Sequence, residues 1–341
     1  MRRLGHWAGA LALVLVLTGC TPGLADPAGS VADPIAPSGT GLPSPGADGA
    51  PSPTAEATAA PDAPPVSTAP PIVPEQAPTK TFAVGSRELS LSRGDRPLRT
   101  VVWYPAAGPA GGPLATPAAG LFPLVLFSHG LTATPEVYQR ITTRIAAAGF
   151  IVAAPAYPYT NGAATTYNPA DLINQPADGS AVITGVLALN DRAGDALAGH
   201  IDGSRIGAAG HSAGGYTTVG MLSGARDPRL RAAIVIAGGS LGGSFTGPAL
   251  PVLFIHGQTD PIVSYSVGVS TYNLVPWPKA LLTITKGDHS SYLFTTGPVG
   301  TAVSASMLDF LRWSLYGDSG AQTRLPGEAA VAGVTTFETS L

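Results

Sequence analysis

Four short runs in this chain, "FPLVLFSHG", "FIVAAPAYP", "RAAIVIAGG" and "ALPVLFIHG", are apolar residue after residue rather than at alternate positions. A strand with one face in water alternates polar and apolar side chains. An unbroken apolar strand needs cover on both faces, the condition of strands inside a parallel sheet flanked by helices. The intervening segments fit that demand. "TPEVYQRITTRIAAAG" sets Thr134 as N-cap, Pro135 and Glu136 in the first turn and Gly149 past the end, so a helix is expected there. A helical period runs over 177–199, and "GTAVSASMLDFLRWSLYG" reads as a closing helix. "RIGAAG" and "KALLTITKG" supply two more strands. "RELSLSR" and "LRTVVWYP" lie too close together for a crossover helix and predict an antiparallel pair at one edge. The expected fold class is therefore α/β: a mostly parallel twisted sheet with helices on both faces and an antiparallel leading edge.

The chain starts elsewhere. "MRRLGHWAGALALVLVLTGC" joins Arg2 and Arg3 to an apolar run ending at Leu17, the two parts of a secretory signal. The run is too short for a comfortable membrane span, and no later window offers the ~18 uninterrupted apolar residues that one needs. Leu17-Thr18-Gly19-Cys20 resembles the lipobox of bacterial lipoproteins. That resemblance implies cleavage before Cys20, lipidation of its thiol, and an exported protein anchored in the membrane on its extracytoplasmic face. Cys20 is the single cysteine, so no intramolecular disulfide is possible. Residues 21–79 are mostly Pro, Ala, Gly, Ser and Thr, with acidic residues and, before Lys80, no Lys or Arg; such a stretch cannot bury a core and is expected to be a disordered linker. The division expected is a signal peptide at 1–19, a linker at 20–79, the α/β domain at 80–318 and a mixed tail at 319–341. A formal charge of −3 with no basic block excludes a nucleic-acid partner. With no metal-ligand spacing and no phosphate-binding loop, neither metal nor organic cofactor is expected.

Gly210-His211-Ser212-Ala213-Gly214 sits between a strand and a helix, the context of a nucleophile elbow. Glycines flank the serine because the tight turn brings strand and helix backbones together where side chains would clash. A chain with 43 glycines produces such a pattern cheaply, so its weight comes from what else is present. A serine hydroxyl needs a base, and the base an orienting acid, in the chain order serine, acid, histidine. Of six histidines, His256 and His289 follow Ser212. His256 closes a buried strand and reads as packed or locally hydrogen-bonded. His289 lies on the loop after the last strand and reads as the base. Among the acids between, Asp227 reads as a turn cap and Asp288 as closing the "KGD" turn, while Asp260, just past a strand and before Pro261, reads as the acid. The backbone N–H groups of Leu131 and Ala213 are placed to hold an oxyanion, with His129 bracing that loop.

With "RPLRTVVWYPA", "PLVLFSHG", "NQPADGSAVITGVLAL" and "RIGAAGHSAGG", residues 80 to 316 resemble the bacterial α/β-hydrolases grouped with platelet-activating-factor acetylhydrolase-like enzymes, chlorophyllases and predicted dienelactone hydrolases. Dienelactone hydrolases use a cysteine nucleophile, so Ser212 points to serine-type ester chemistry. "SHGLTA" and "GHSAGG" also resemble cutinase-like polyester hydrolases, with two departures: those enzymes carry a tryptophan where this chain has "IAGGS", and they often hold a C-terminal disulfide. The resemblance implies a serine esterase acting on small-molecule or lipid esters through an acyl-enzyme. A polyester hydrolase or an envelope acyltransferase would use the same triad, and a non-catalytic binding lipoprotein is the reading from another class. The pocket is expected from residues 155 to 180 and 239 to 249, with Tyr157, Tyr159 and Tyr167 either facing substrate or covering the core.

Overall fold

The computed structural model describes residues 77–108 and 115–341, so the expected signal peptide, Cys20 and nearly all of the expected linker lie outside the described residues. The strands are β1 (Ala83–Arg93), β2 (Arg96–Ala106), β3 (Phe122–Ser128), β4 (Ile151–Pro155), β5 (Ile201–His211), β6 (Leu230–Ile236), β7 (Val252–Gly257), β8 (Lys279–Ile284) and β9 (Thr335–Thr339). They join one sheet in the order β1-β2-β4-β3-β5-β6-β7-β8-β9. From β4 to β8 every neighbouring pair is parallel. The β1–β2 hairpin and its pairing to β4 are antiparallel, as the short connection between β1 and β2 demands.

The helices are α1 (Gln139–Ala147), α2 (Gln175–Leu187), α3 (Ala213–Gly220), α4 (Tyr265–Leu274), α5 (Ser291–Phe294), α6 (Pro298–Tyr316) and α7 (Ser319–Glu328). The unbroken apolar strands are covered on both sides. Val125 and Phe127 of β3, Val152 of β4 and Ile234 of β6 pack with Ile141 and Ile145 of α1 and with Met307, Phe310 and Leu311 of α6. Their sequence neighbours Leu124, Leu126, Ala153 and Val235 face the opposite way, onto Val182, Ile183 and Val186 of α2 and Val219 of α3. Pro123, which has no N–H to give a ladder, lies where the β3–β5 register shifts.

Two elements differ from the sequence expectation. The helix expected to run to residue 199 ends at Leu187. Beyond it Gly194 and Gly199 take positive φ of 80° and 74°, and Asp195 turns out to bind the Arg87 guanidinium through both oxygens at 2.8 and 2.9 Å. Polar residues that suit a helix surface serve here as a pinned turn. The mixed tail forms α7 and then β9, which pairs antiparallel with β8 and covers that edge of the sheet.

One buried ion cluster ties the loop before α2 to the leading hairpin. Arg96 reaches Asp171 and Asp178 at 2.6 Å each, Arg93 reaches Asp178 at 2.7 Å, and the Asp178 side chain is wholly buried. The Tyr159 ring lies 5.3 Å from the same guanidinium. Removing one partner of a buried ion cluster leaves charge without compensation, so Arg96→Leu is expected to cost about 3–5 kcal/mol. A urea titration checks this: a midpoint unchanged from wild type would show that the cluster adds nothing.

Candidate active site

Ser212 has φ 58° and ψ −121°, a conformation that L-residues avoid, directly between β5 and α3. The surrounding backbone allows nothing else. A Cβ on Gly210 would run into the Gly214 carbonyl, and one on Gly214 into the carbonyls of Ser128 and His129. Gly215 meets the Gly238 backbone after β6 in the same way. The weak helix former α3 is therefore seated against its neighbouring strands through missing side chains. Two other non-glycine residues with positive φ, Thr132 at 59° and Ala237 at 45°, follow β3 and β6, so strain collects at the carboxyl ends of these strands.

The loop after β3 lies against the elbow, where a Cβ on Gly130 would stand 3.3 Å from the Ser212 Cβ. Its amides divide by use. Gly130 N–H donates to Tyr138 Oη at 3.1 Å and Thr132 N–H to the Thr160 carbonyl at 2.8 Å. The N–H groups of Leu131 and Ala213 make no hydrogen bond among the described residues. His129 spans the loop as a brace: Nδ1–H donates to the Gly130 carbonyl at 2.7 Å and Nε2 accepts the Tyr157 N–H at 3.1 Å. Burial lowers its pKa to about 4, so this ring is neutral.

Asp260 and His289 meet after β7 and β8, with His289 Nδ1–H donating to Asp260 Oδ2 at 2.7 Å. The other carboxylate oxygen accepts the N–H groups of Ile262 and Val263 at 2.8 and 2.9 Å. Burial alone would push this carboxyl up; hydrogen bonds from His256, His289 and Ile262 outweigh it and hold the group well below the usual carboxylate range. His256 Nε2 donates to the Val263 carbonyl at 2.9 Å and stands 3.3 Å from Asp260 Oδ2, so this histidine is locally hydrogen-bonded and also backs the acid. Asp227 accepts from Arg229 and Ser180, and Asp288 accepts the N–H groups of Ser290 and Ser291 at 3.0 and 2.8 Å; both carboxylates serve local structure.

Ser212 Oγ forms no hydrogen bond among the described residues, so the serine-to-histidine contact expected from the sequence is not made. Such links are commonly long before substrate binds. What holds the His289 loop to the elbow is His211, whose Nε2–H donates to the His289 carbonyl at 2.9 Å and whose ring centroid lies 4.7 Å from that of His289. Sequence reasoning passed over His211 because it precedes the serine, and over Tyr138, which no motif distinguishes. Tyr157 is fully buried with its hydroxyl 2.8 Å from Ser128 Oγ, and so covers the core. Tyr167 is exposed.

A chain of this architecture has known relatives. Residues 75–318 match the model of the PET hydrolase-like family. Cutinase est2 of Thermobifida alba is 28% identical over 203 residues, which make up 58% of this chain and 63% of that protein. In "IAGGS", the stretch where the cutinase-like resemblance implied a tryptophan, Ala237 takes positive φ and Gly238 packs on Gly215. That departure leaves the larger pattern intact. Because the match spans residues 75–318, well over half of the sequence, the chain belongs to the PET hydrolase-like family of α/β-hydrolases.

Proposed function

We propose that this chain is a serine-dependent carboxylic ester hydrolase, exported and held at the cell envelope by a lipid on Cys20. The PET hydrolase-like family match and the cutinase relative support polyesters as a substrate class. The observation that carries the mechanism is the Asp260–His289 hydrogen bond, set at the same end of the sheet as Ser212 in its strained turn.

Ser212 Oγ attacks the acyl carbon while His289 Nε2 takes its proton. Asp260 holds the Nδ1 proton, which leaves Nε2 as the basic nitrogen and stabilises the imidazolium that forms. The carbonyl oxygen becomes an oxyanion facing the N–H groups of Leu131 and Ala213. Collapse of this intermediate breaks the bond to the alcohol oxygen, which leaves with the proton from His289. Water then attacks the acyl-enzyme by the same route and frees the acid. The lipid anchor rests on Leu17-Thr18-Gly19-Cys20 and its apolar leader.

The test is labelling of the full chain with a fluorophosphonate probe, followed by assays on p-nitrophenyl esters of several chain lengths and on a polyester film. Label on Ser212 with release of p-nitrophenol is expected. A chain that takes no label and cleaves no ester has another function. Addition of an alcohol, with a new ester as the main product instead of acid, would move the reading to acyl transfer.

A further inference from the structure

We propose that Tyr138 and His211 form a relay that holds the oxyanion loop and the base loop in position about Ser212, and that both are positioning residues for ester cleavage. This rests on the serine-hydrolase reading.

Three hydrogen bonds compose it. Gly130 N–H donates to Tyr138 Oη at 3.1 Å, the Tyr138 hydroxyl lies 2.8 Å from His211 Nδ1, and His211 Nε2 lies 2.9 Å from the His289 carbonyl. The proton directions are fixed by the ends. A carbonyl can only accept, so Nε2 carries the proton of neutral His211 and Nδ1 is left as an acceptor. Tyr138 Oη, already accepting from Gly130, gives its own proton to that nitrogen. Tyr138 and His211 are 2% and 4% exposed, so neither bond competes with bulk water. Burial lowers the His211 pKa to about 4 and raises that of Tyr138 to about 12, so both groups stay neutral near pH 7.

The ends of this chain sit on the reacting groups. Gly130 adjoins Leu131, the proposed oxyanion donor; His211 adjoins the nucleophile; the accepting carbonyl belongs to the proposed base itself. The loops that follow β3, β5 and β8 are thus joined by two side chains that are buried away from solvent. Tyr138 also lies 5.9 Å, ring to ring, from Phe294, which places its outer edge against the helix that follows the base loop. A residue that only filled space here would need no polar atoms, whereas each polar atom of this pair is matched.

The test compares full-length wild type with His211→Phe, His211→Gln, Tyr138→Phe and the Tyr138→Phe/His211→Phe double variant on p-nitrophenyl butyrate, with binding of butylboronic acid and urea midpoints measured alongside. His211→Phe is expected to lower kcat about 10- to 100-fold and Tyr138→Phe about tenfold, the scale of a displaced reacting group. KM should stay within about twofold while boronate binding weakens in step with kcat/KM. His211→Gln, whose amide can still donate to the His289 carbonyl, should recover part of the loss. The double variant should lose less than the product of the single effects. Variants that keep wild-type kcat, or that lose activity only as far as they lose folded protein, overturn the relay. Should His211→Phe fail to fold, Tyr138→Phe removes one hydroxyl and decides alone. Wild-type hydrolysis is read in the same assay, so an inactive wild type overturns the serine-hydrolase reading and the relay with it, whereas active variants overturn the relay alone.

Discussion

Ser212→Ala is expected to lower turnover of p-nitrophenyl butyrate about 10⁴- to 10⁶-fold, the cost of removing the proposed nucleophile, whose partners would act only through it. Stability should stay within about 0.5 kcal/mol, because alanine occupies the same strained backbone as readily as serine does and Ser212 N–H still reaches the Ile236 carbonyl. Asp260→Asn separates orientation from attack. Asn keeps an oxygen for the Ile262 and Val263 amides, yet it cannot be the anionic acceptor that the His289 Nδ1 proton now has. That favours the wrong tautomer and should cost about 10⁴-fold in kcat. The activity left in both variants would measure what the proposed oxyanion donors, the Leu131 and Ala213 amides, supply together with substrate binding, about 10³-fold or more over water. A Ser212→Ala enzyme that kept more than about 1% of wild-type kcat would show that another group attacks.

Stability is expected to fall steeply between pH 6.5 and about 4, with His129 and His211 as the cause. Both pKa values drop from 6.5 to about 4 on burial. Across that window the unfolded chain binds protons that the folded chain refuses, so stability rises with pH and is lost as pH falls, fully so below the folded value. With two groups the slope reaches about 2.7 kcal/mol per pH unit, for a total of about 7 kcal/mol. The depressed carboxylate of Asp260 acts in the same direction at lower pH: its contribution is present above the unfolded value of about 3.9 and fades as pH falls below it. The two sources are thus separated on the pH axis. Urea midpoints taken at intervals from pH 7 to 4 give the slope directly, and His129→Asn, with one titrating ring removed, should reduce it by half. A flat profile over this range would mean that the two rings are hydrated.

The fold was legible wherever a residue's role was dictated by what covers it. Continuous apolar strands require helices on both faces, and β3, β4, β6 and β7 have them. The segment after α2 was misread because Asn190, Arg192 and Asp195 suit a solvated helix face as well as a turn. What decides between them is tertiary and local bonding: Arg87, distant in sequence, binds Asp195, and the Asn190 side chain accepts the Ile201 N–H. The spacing of strand ends picked out Asp260 and His289 as the pair that would meet, since each follows its own parallel strand. Tyr138 and His211 escaped for the opposite reason. Their significance lies in hydrogen bonds across three loops, and a tyrosine after a turn carries no periodic signature. His256 was legible as a packed residue, but its place behind Asp260 depends on the turn at Pro261 folding the carboxylate back toward it.

The contact of Gly214 with the carbonyls of Ser128 and His129 has a consequence for how such a protein can change. The Ser212 turn is set by main chain pressed on main chain, with no side chain between Gly214 and the Ser128 and His129 carbonyls. If the segments expected to form the pocket, 155–180 and 239–249, do receive the substrate, substitutions at their exposed positions would reshape what is received without moving this turn. The reverse does not hold: a single methyl group at 210 or 214 would displace the elbow as a unit. On the proposed function, selection for a new substrate would act on one set of positions, and the serine turn would be inherited through another.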